Sequence, residues 1–489
     1  MTGAIMQLVA YGAQDIYLTG NPMITYFKTI YRRHTNFAIE LIEQSFNGRV
    51  DFGRNLSAVI SRNGDLISNA VISATIPTLV SADSTSVLRW TDNIGHHLIK
   101  TVGIEIGGQL IDQHFGDWLD IWAQLTVSAE HKDGYYTMIG QGEVDMLGRP
   151  TGLQKDIEGS HTEGTTIFVP LQFWFCRNYG LALPLIALSY HEVKINVQFA
   201  KVEELIRSGG IEVRDIALTA KLWIEYIYLD TDERRRFAQT SHEYLIEQVQ
   251  RNTEIITASN SRASPNTDSI SLNFKHPIKE LIWVVQPIEY ITGLDRQPSN
   301  YTSIQAPLPV DAVSSTSANT GISDNYPIIG TSLTELGLQA IRDNTILRDI
   351  TNQSCSRPPG SKNPVIRAKL KLNGNDRFAV RKGTYFNWMQ PRDHHTCIPD
   401  SPGINVYSFS LIPEKHQPSG TCNFSRINTA CLILSTAVLT SRTENVNLSY
   451  PGIGSSNPLI SSKCQCRIYA INYNVLRIMQ GMSGLAYRY

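Results

Sequence analysis

Short runs in which apolar and polar residues alternate recur along most of the chain, and a period of two is typical of half-buried β-strands. Gly, Asn, Asp and Pro separate the runs, as expected of turns. The pattern predicts strands at 38–44, 66–76, 98–106, 166–175, 193–199 and 218–229, and a second series at 244–249, 269–274, 280–285, 366–372, 407–411, 430–439 and 465–475. Many short strands at such intervals predict an all-β fold of sandwiches or barrels rather than βαβ units.

Residues 118–126 follow a helical period instead, with Trp118, Ile121, Trp122 and Leu125 on one face. Asp117 or Asp120 is predicted to begin this helix. The two carboxylates could also form a general acid and base. A cap at the start of the helix is the favoured interpretation, because nothing in the sequence directs both groups to one cleft.

Two identical four-residue runs lie in the two series of strands. Leu41-Ile42-Glu43-Gln44 recurs as Leu245-Ile246-Glu247-Gln248, at a spacing of 245 − 41 = 204 residues. A double Arg precedes each run, as Arg32-Arg33 and Arg235-Arg236, at a spacing of 235 − 32 = 203 residues. These shared flanks predict one architecture used twice along the chain. A duplicated scaffold without a catalytic motif indicates a building block rather than an enzyme.

Two further pairs of segments match in kind. Residues 105–108 and 371–374 each predict the end of a strand that runs into a Gly turn. The last strands of the two series, at 222–228 and 467–473, each mix aromatic with branched side chains. Both pairs support the duplication.

The duplication predicts an N-terminal arm at 1–36 with one short helix, a first β domain at 37–229, a connection at 230–239 and a second β domain at 240–489. The connection carries Arg234-Arg235-Arg236 beside acidic residues and is predicted to be a solvated turn. The stretch 292–363 is rich in Ser, Thr, Asn and Pro and has no counterpart of that length in the first half. It is predicted to be a long surface insertion of the second domain, with a short helix at 333–347.

The chain has 489 residues, of which 42% are apolar and 18% charged, as in a folded protein of two domains. Its formal net charge of −1 argues against direct contact with nucleic acid. The N-terminus lacks a secretory signal, and no apolar run is long enough to span a bilayer. Seven Cys, an odd number, predict free thiols in a reducing compartment.

Several fragments of catalytic and metal-binding motifs are incomplete. His191-Glu192 and His242-Glu243 lack the second His of a zinc protease. His394-His395 lies near Cys397 without a partner pair, and Cys464-Gln465-Cys466 is interpreted as two thiols on opposite faces of one strand. The sequence therefore predicts no catalytic residue, no cofactor and no metal. Glycosylation motifs occur at Asn55, Asn300, Asn352, Asn423 and Asn447.

Longer strings carry a more specific resemblance. They are Gln7-Leu8-Val9-Ala10-Tyr11-Gly12-Ala13-Gln14-Asp15, Leu18-Thr19-Gly20-Asn21-Pro22, Tyr31-Arg32-Arg33-His34-Thr35-Asn36-Phe37, Gly180-Leu181-Ala182-Leu183-Pro184-Leu185-Ile186-Ala187-Leu188, His191-Glu192-Val193, Gln417-Pro418-Ser419-Gly420, Asn423-Phe424-Ser425-Arg426, Tyr473-Asn474-Val475-Leu476-Arg477 and Gly481-Met482-Ser483-Gly484-Leu485-Ala486-Tyr487. Together they resemble the major capsid proteins of the large icosahedral double-stranded DNA viruses of eukaryotes, the phycodnavirus, mimivirus and marseillevirus group. The resemblance covers nearly the whole chain and weakens over about 292–363.

The resemblance implies two consecutive eight-stranded antiparallel jelly rolls and a homotrimer that forms a nearly hexagonal capsomer of an icosahedral capsid. It implies a place in the virion, assembly in the host cytoplasm, and as partners further copies of the chain, minor capsid proteins and viral proteins of the inner membrane. It also implies structural roles for the signature residues Arg32, Arg33, Gly180, Pro184, Pro418, Gly420, Arg426 and Arg477.

Two other classes of function remain open at this point. A tandem β-sandwich lectin would need an exposed aromatic beside paired carboxylates in a concave site. A cupin-like or glycan-cleaving enzyme would need His and carboxylates that converge inside a barrel, and their spacing here gives no support.

Overall fold

A computed structural model describes residues 3–10, 12–15, 21, 27–28, 35–77, 89–140, 165–207, 217–259, 262–292, 298–303, 362–438 and 463–487. The predicted arm contains helix α1 (Gly3–Val9) and a 3-10 turn at Ala13–Asp15, and neither buries a side chain. One short helix in the arm agrees with the prediction.

The first half consists of antiparallel sheets. Its strands are β1 (Phe37–Gln44), β2 (Asn55–Val59), β3 (Leu66–Ile76), β4 (Arg89–Trp90), β5 (Ile99–Ile106), β6 (Gln109–Phe115), β7 (Thr165–Pro170), β8 (Leu183–Pro184), β9 (Val193–Phe199), β10 (Ile206–Arg207) and β11 (Thr219–Leu229). One sheet has the order β1-β11-β3-β7, with β8 beside β3, and the other has the order β2-β9-β5-β6. The short strands β4 and β10 pair with each other.

The second half repeats this arrangement. Its strands are β12 (His242–Thr257), β13 (Asn266–Ser271), β14 (Pro277–Pro287), β15 (Val365–Leu372), β16 (Asn375–Lys382), β17 (Asn405–Ser408), β18 (Cys422–Asn423), β19 (Ala430–Thr436), β20 (Lys463–Met479) and β21 (Met482–Leu485). The sheet orders are β12-β20-β14-β17, with β18 beside β14 and β21 beside β20, and β13-β19-β15-β16. The all-β prediction of two tandem jelly rolls is therefore confirmed.

The repeated run at 41–44 and 245–248 occupies equivalent strands. It lies in β1 and in β12, each of which pairs with the last long strand of its half, β11 and β20 respectively. The predicted Gly turns are equivalent too, because they join β5 to β6 and β15 to β16. Both central residues of each turn, Gly107-Gly108 and Asn373-Gly374, have positive φ, as a tight hairpin of this type requires.

The helices lie in the connections between strands. They are α2 (Ile94–Leu98), α3 (Gly116–Thr126), α4 (Ala129–Met138), α5 (Trp174–Arg177), α6 (Val202–Leu205), α7 (Thr231–Gln239), α8 (Ile288–Thr292) and α9 (Gln390–His394), with 3-10 turns at Tyr179–Leu181, Leu185–Ala187 and Phe424–Arg426 and a π-helical turn at Tyr385–Met389. The predicted helix at 118–126 is confirmed as α3. The connection at 230–239 is the helix α7 rather than a turn, because Asp230 caps its first residue and Asp232 and Glu233 stabilise its first turn.

The strand β14 of the second half is buried on both faces. Leu281, Trp283 and Val285 of β14 point into the core of their own half, whereas Ile282 and Val284 belong to the apolar cluster of the first half. Successive side chains of a strand point to opposite faces, so β14 lies between the two cores. A strand buried on both faces reads as a continuous apolar run, as 281–285 does.

Some predicted elements differ from the structure. The strand at 166–175 ends at Pro170, and its last residues form α5. The strand at 407–411 ends at Ser408, and β2, β6 and β16 were not predicted. Cys464 and Cys466 lie on one face, in the core of the second half, because residues two apart in a strand share a face.

Residues 299–303 fall within the predicted surface insertion but are buried. Asn363, the last residue of the predicted insertion, is buried as well, so the prediction of an exposed segment is wrong for these six positions. Most of the insertion, at 293–297 and 304–361, and its predicted helix at 333–347 lie outside the described residues.

Candidate functional site at the junction between the two halves

Helix α3 of the first half lies directly against the second half, and all its residues from Trp118 to Leu125 are buried. The helix starts at Gly116, where a β-carbon would meet the carbonyl oxygens of Ile99 at 2.3 Å and His96 at 2.4 Å. Only Gly therefore allows α3 to start this close to the neighbouring chain. Trp118 packs on Tyr469 of β20, with ring centroids 5.3 Å apart.

A buried ion pair joins the start of α3 to β20. Arg467 Nη1 donates to Asp117 Oδ2 at 2.7 Å, and the hydroxyl of Tyr469 donates to the same oxygen. Arg467 also donates to the side chain of Gln286. Burial alone would raise the pKa of Asp117, but the charges of Arg467 and Arg251 outweigh it and hold that pKa below its ordinary value.

Asp120, one turn further along α3, binds Tyr301 of the segment 298–303. Its Oδ2 accepts from the hydroxyl of Tyr301 at 3.0 Å, and its Oδ1 accepts from Asn93 Nδ2 at 2.8 Å. Burial raises the pKa of Asp120, and the adjacent imidazoles of His96, whose Nδ1 lies 3.6 Å from Oδ1, and of His97 more than compensate, so the net pKa is lowered. Asp117 and Asp120 therefore bind the second half. They do not face a cleft together, and neither supplies a side-chain N-cap, since residue Phe115 occupies that position.

The end of α3 contacts the segment 397–401 of the second half. Ser401 N donates to Gln124 Oε1 at 3.2 Å, and Cys397 N donates to the carbonyl of Leu125 at 3.0 Å. Lys132 of α4 forms an ion pair with Asp400. These contacts extend the junction along the whole length of α3.

The repeated run itself forms part of the junction in the second half. Gln248 of β12 donates to the carbonyl of Ile111, and Val249 N donates to Asp112 Oδ1 at 3.1 Å, so β12 lies beside β6. Glu247 accepts from Arg177 of α5 at 2.9 Å and from the buried Lys279 of β14 at 2.6 Å. The strand β12 is thus fixed to the first half by both polar and charged contacts.

A second buried cluster surrounds His395. Its Nε2 lies 3.0 Å from Glu280 Oε2 and its Nδ1 lies 2.9 Å from Glu414 Oε1, and its ring meets the edge of Trp122. Burial lowers the pKa of His395, but the charge of the nearby Glu280 and the hydrogen bond to Glu414 raise it to about 9. His395 is therefore a cation at neutral pH. Since the His395 and Glu280 side chains are fully buried, the cluster is a structural bridge and offers no face to a solute.

A surface cavity of about 500 Å³ lies where the hairpin of β20 and β21 meets the first half, and residues of the first half alone line a second cavity of about 540 Å³. His191 lines both, and its Nδ1 accepts from Ser483 N at 3.1 Å. No group of three or more metal-ligating side chains is present in the described ranges. Among the helices of the same ranges, none is long and apolar enough to cross a membrane.

Two groups stand out among the exposed large apolar side chains of the described residues. On β1 they are Phe37, Ile39 and Leu41, at 53%, 45% and 51% exposure. In the second half they follow β16 and β17 and are Trp388, Met389, Leu411 and Ile412. The two sets belong to different halves of the chain.

The predicted glycosylation sites differ in exposure. Asn55 and Asn423 are exposed, and glycosylation there stays a prediction. Asn300 is 1% exposed and its side-chain oxygen accepts from Thr302, which disfavours a glycan at this position. Asn352 and Asn447 lie outside the described residues.

The signature residues are scattered rather than gathered in one site. Gly180 and Pro184 belong to the turn and strand around β8, and Pro418 and Gly420 to the turn before the equivalent β18. Arg426 is the exposed last residue of a 3-10 turn, and Arg477 pairs with Glu243 at 2.9 Å on the surface. Arg32 and Arg33 lie outside the described residues.

The partners of α3 and of His395 were not predicted from the sequence. Arg467 and Glu280 were assigned only to strands, and Tyr301 to a surface loop. A signal was present for two of them, because a charge within a continuous apolar run is buried at a cost and needs a partner.

Comparisons with known proteins agree with this architecture. Residues 25–230 match the family described as major capsid protein N-terminus, and residues 233–484 match the family described as large eukaryotic DNA virus major capsid protein. The chain is 44% identical to the major capsid protein of Phaeocystis pouchetii virus and 39% identical to that of Paramecium bursaria Chlorella virus 1, over the full length of each chain. It is also similar to the protein in the structure "PBCV-1 virus capsid, quasi-atomic model", with a TM-score of 0.70 and 33% identity over 95% of this chain and 100% of that one. The chain therefore belongs to the major capsid proteins of large eukaryotic DNA viruses.

Proposed function

We propose that this capsid protein forms a homotrimer in which six jelly rolls make a nearly hexagonal capsomer. The observation that carries the proposal is the buried junction along α3. It fixes two similar units of one chain in a single relative orientation, as a rigid building block requires. Two units per chain and three chains give six units around one three-fold axis, a closed arrangement that does not grow into a fibre.

The proposal includes the division of the chain. The arm covers 1–36, the first jelly roll 37–229, the connection 230–239 and the second jelly roll 240–489. The helix α7 within the connection supports this division, since it joins the last strand of one set of sheets to the first strand of the next. The boundary between the two matched families, at 230 and 233, supports it as well.

A structural role without catalysis follows from the same proposal. Among the described residues, the buried carboxylates and histidines along α3 bind one another and line neither of the two surface cavities. The proposed partners are further copies of the chain, minor capsid proteins and viral proteins of the inner membrane, without direct contact to nucleic acid. The proposed place of assembly is the host cytoplasm, and the final location is the capsid of the virion.

Native mass spectrometry of the purified protein at micromolar concentration tests the trimer. We expect a single species of three chains, and images of the particle should show a nearly hexagonal outline. A monomer as the main species at this concentration contradicts the proposal. A monomer that also binds glycans would favour the lectin instead.

A further inference from the structure

The junction within the chain uses one side of each half. The second half contributes β12 and the outer face of its sheet β12-β20-β14-β17. The first half contributes β6, α3 and α5, through the contacts Gln248 to Ile111, Asp117 to Arg467 and Arg177 to Glu247. The contact is therefore between unlike surfaces of two like units.

Each half also carries the surface that the other one uses. The counterpart of β12 in the first half is β1, which has the same place in its sheet and carries the same four-residue run. The counterpart of β6 in the second half is β16, since each ends its sheet. The connection after each of these two strands is helical: α3 follows β6, and the turn Tyr385–Met389 with α9 follows β16. A second correspondence joins the strands β7 and β17, because α5 follows β7 and residues 411–412 follow β17.

Among the described residues, none within the chain covers these counterparts, and each carries a group of exposed apolar side chains, although half of the residues of β16 itself are charged. The β1 face consists of Phe37, Ile39 and Leu41, which are at least 45% exposed. It is opposite to the core-facing side, where Ile42 pairs with the buried Ile224. The 388–412 patch consists of Trp388, Met389, Leu411 and Ile412, at 55%, 51%, 70% and 45% exposure.

The 388–412 patch lies on adjacent segments. His394 Nδ1 bonds to the carbonyl of Leu411 at 2.9 Å, and Gln390 Oε1 accepts from Ser408 N at 3.0 Å. Both strands that flank the two surfaces are exposed along most of their length, since β1 buries one residue of eight and β16 none. Exposed apolar side chains beside an unpaired strand edge mark a surface that another chain covers.

We propose that the β1 face of one copy docks on the 388–412 patch of a second copy, so that the contact between chains uses the same face of the sheet as the junction within each chain. The inference rests on the proposed trimer and names the surfaces that hold it. The contact joins unlike surfaces head to tail, so each copy offers one face and one patch to its neighbours. Three copies then close a ring in which every unit meets the next in a similar way.

Two variants, each with one surface disabled, test the pairing. Leu41→Asp places a carboxylate on the β1 face, and Trp388→Asp places one in the 388–412 patch. Each variant alone should fall from trimer to monomer at micromolar concentration in native mass spectrometry, because a carboxylate cannot be buried in an apolar contact without a partner. Mixed in equal amounts, the two variants should give a heterodimer and no trimer, because one intact face and one intact patch remain between them.

The matched control is Ile255→Asp. Ile255 is 69% exposed and lies in β12, beyond the part of that strand that contacts the first half. This variant should remain a trimer. Circular dichroism and the melting temperature verify the fold of each variant. If Leu41→Asp does not fold, Ile39→Lys replaces it on the β1 face, and if Trp388→Asp does not fold, Met389→Lys replaces it in the 388–412 patch.

The outcomes separate the two proposals. A monomeric wild-type protein contradicts the trimer itself. A trimeric wild type whose Leu41 and Trp388 variants also remain trimers contradicts the docking surfaces alone. Monomeric variants that fold but give no heterodimer on mixing contradict the head-to-tail pairing of these two surfaces.

Discussion

Asp117 and Arg467 are 350 residues apart in the sequence and form an ion pair of 2.7 Å whose two side chains are each 10% exposed. The pair joins the first turn of α3 to the central strand β20 of the second half. Each charge depends on the other, because burial removes the hydration of an ion and only the attraction of its partner offsets that loss of free energy. The relative placement of the two jelly rolls is therefore sensitive to this one contact.

Replacement of Asp117 by Asn leaves Arg467 buried without a countercharge. We expect Asp117→Asn to lower the free energy of unfolding by about 3–5 kcal/mol, as is usual when one partner of a buried pair is removed. Urea denaturation at neutral pH measures the change. The control is Glu243→Gln, which removes the exposed partner of Arg477 and should change stability by less than about 1 kcal/mol. Equal losses in both variants would contradict the buried role of Asp117.

The protonation of His395 makes the stability of the folded protein depend on pH in the alkaline range. Its pKa is raised in the folded chain from 6.5 to about 9. The folded state then holds a proton that the unfolded state releases, so the stabilisation is complete below pH 6.5 and is lost as the pH rises through 9. We expect His395→Gln to be less stable than the wild type at pH 6 and to lose less stability between pH 6.5 and 9. Urea denaturation across this range measures both slopes.

The exposed His131 provides the control for this experiment. His131→Gln should follow the wild-type pH dependence. If His395→Gln retained the wild-type slope above pH 6.5, the bridge to Glu280 and Glu414 would not hold the proton.

The strands were predictable where one face is buried and the other is partly exposed to solvent, as in β9, whose burial alternates at every residue. The apolar run of β14 was also found, since burial on both faces leaves a continuous signal. The strand β16 was missed, because an edge strand with exposed charges lacks the alternating pattern. The end of the strand after Pro170 was missed because α5 continues the apolar run.

The junction was not predictable from one sequence. Its pairs join positions as distant as Asp120 and Tyr301 or Asp117 and Arg467, and a period along the chain carries no information on such contacts. The helix α3 was predicted, and its capping interpretation of Asp117 and Asp120 was wrong, since tertiary partners bind both carboxylates. The repeated run at 41–44 and 245–248 predicted more of the structure than the capping interpretation did, because it identified β1 and β12 as equivalent strands.

Gly420 occupies a backbone position that other residues adopt with strain. Its φ is +148°, and a β-carbon there would lie 2.6 Å from the carbonyl oxygen of Phe409. We expect Gly420→Ala to destabilise the protein by about 1–3 kcal/mol, as strained backbone positions do. The control is Gly134→Ala in α4, where no atom lies within 4 Å of the new methyl group. That variant should be stabilised by about 0.5–1 kcal/mol, because Ala restricts the unfolded chain. Thermal denaturation compares the two, and a loss of similar size in both would contradict the strain at Gly420.

The thiols should differ in reactivity. Burial raises the pKa of Cys464 to about 12 and raises that of Cys466 as well, so few thiolates form at pH 8. We expect both to react with a disulfide reagent far more slowly than the half-buried Cys431. The six described Cys are free, and Cys355 lies outside the described residues. Denatured protein without reductant should therefore yield all seven thiols of the sequence. A lower count would contradict the prediction of free thiols.

The insertion after Ser303 should be removable, because its two ends meet. Ser303 N donates to the carbonyl oxygen of Lys362 at 3.0 Å, so a short Gly-Ser linker can replace 304–361. A shorter connection costs less entropy to close, and we expect the shortened chain to unfold in urea within about 1 kcal/mol of the wild type and to keep its mass in native mass spectrometry. Tyr301→Ala in the full chain should instead lose about 3–5 kcal/mol, since Tyr301 is fully buried and donates to Asp120. If the shortened chain lost as much stability as Tyr301→Ala, the boundary between buried and removable residues would not lie at Ser303.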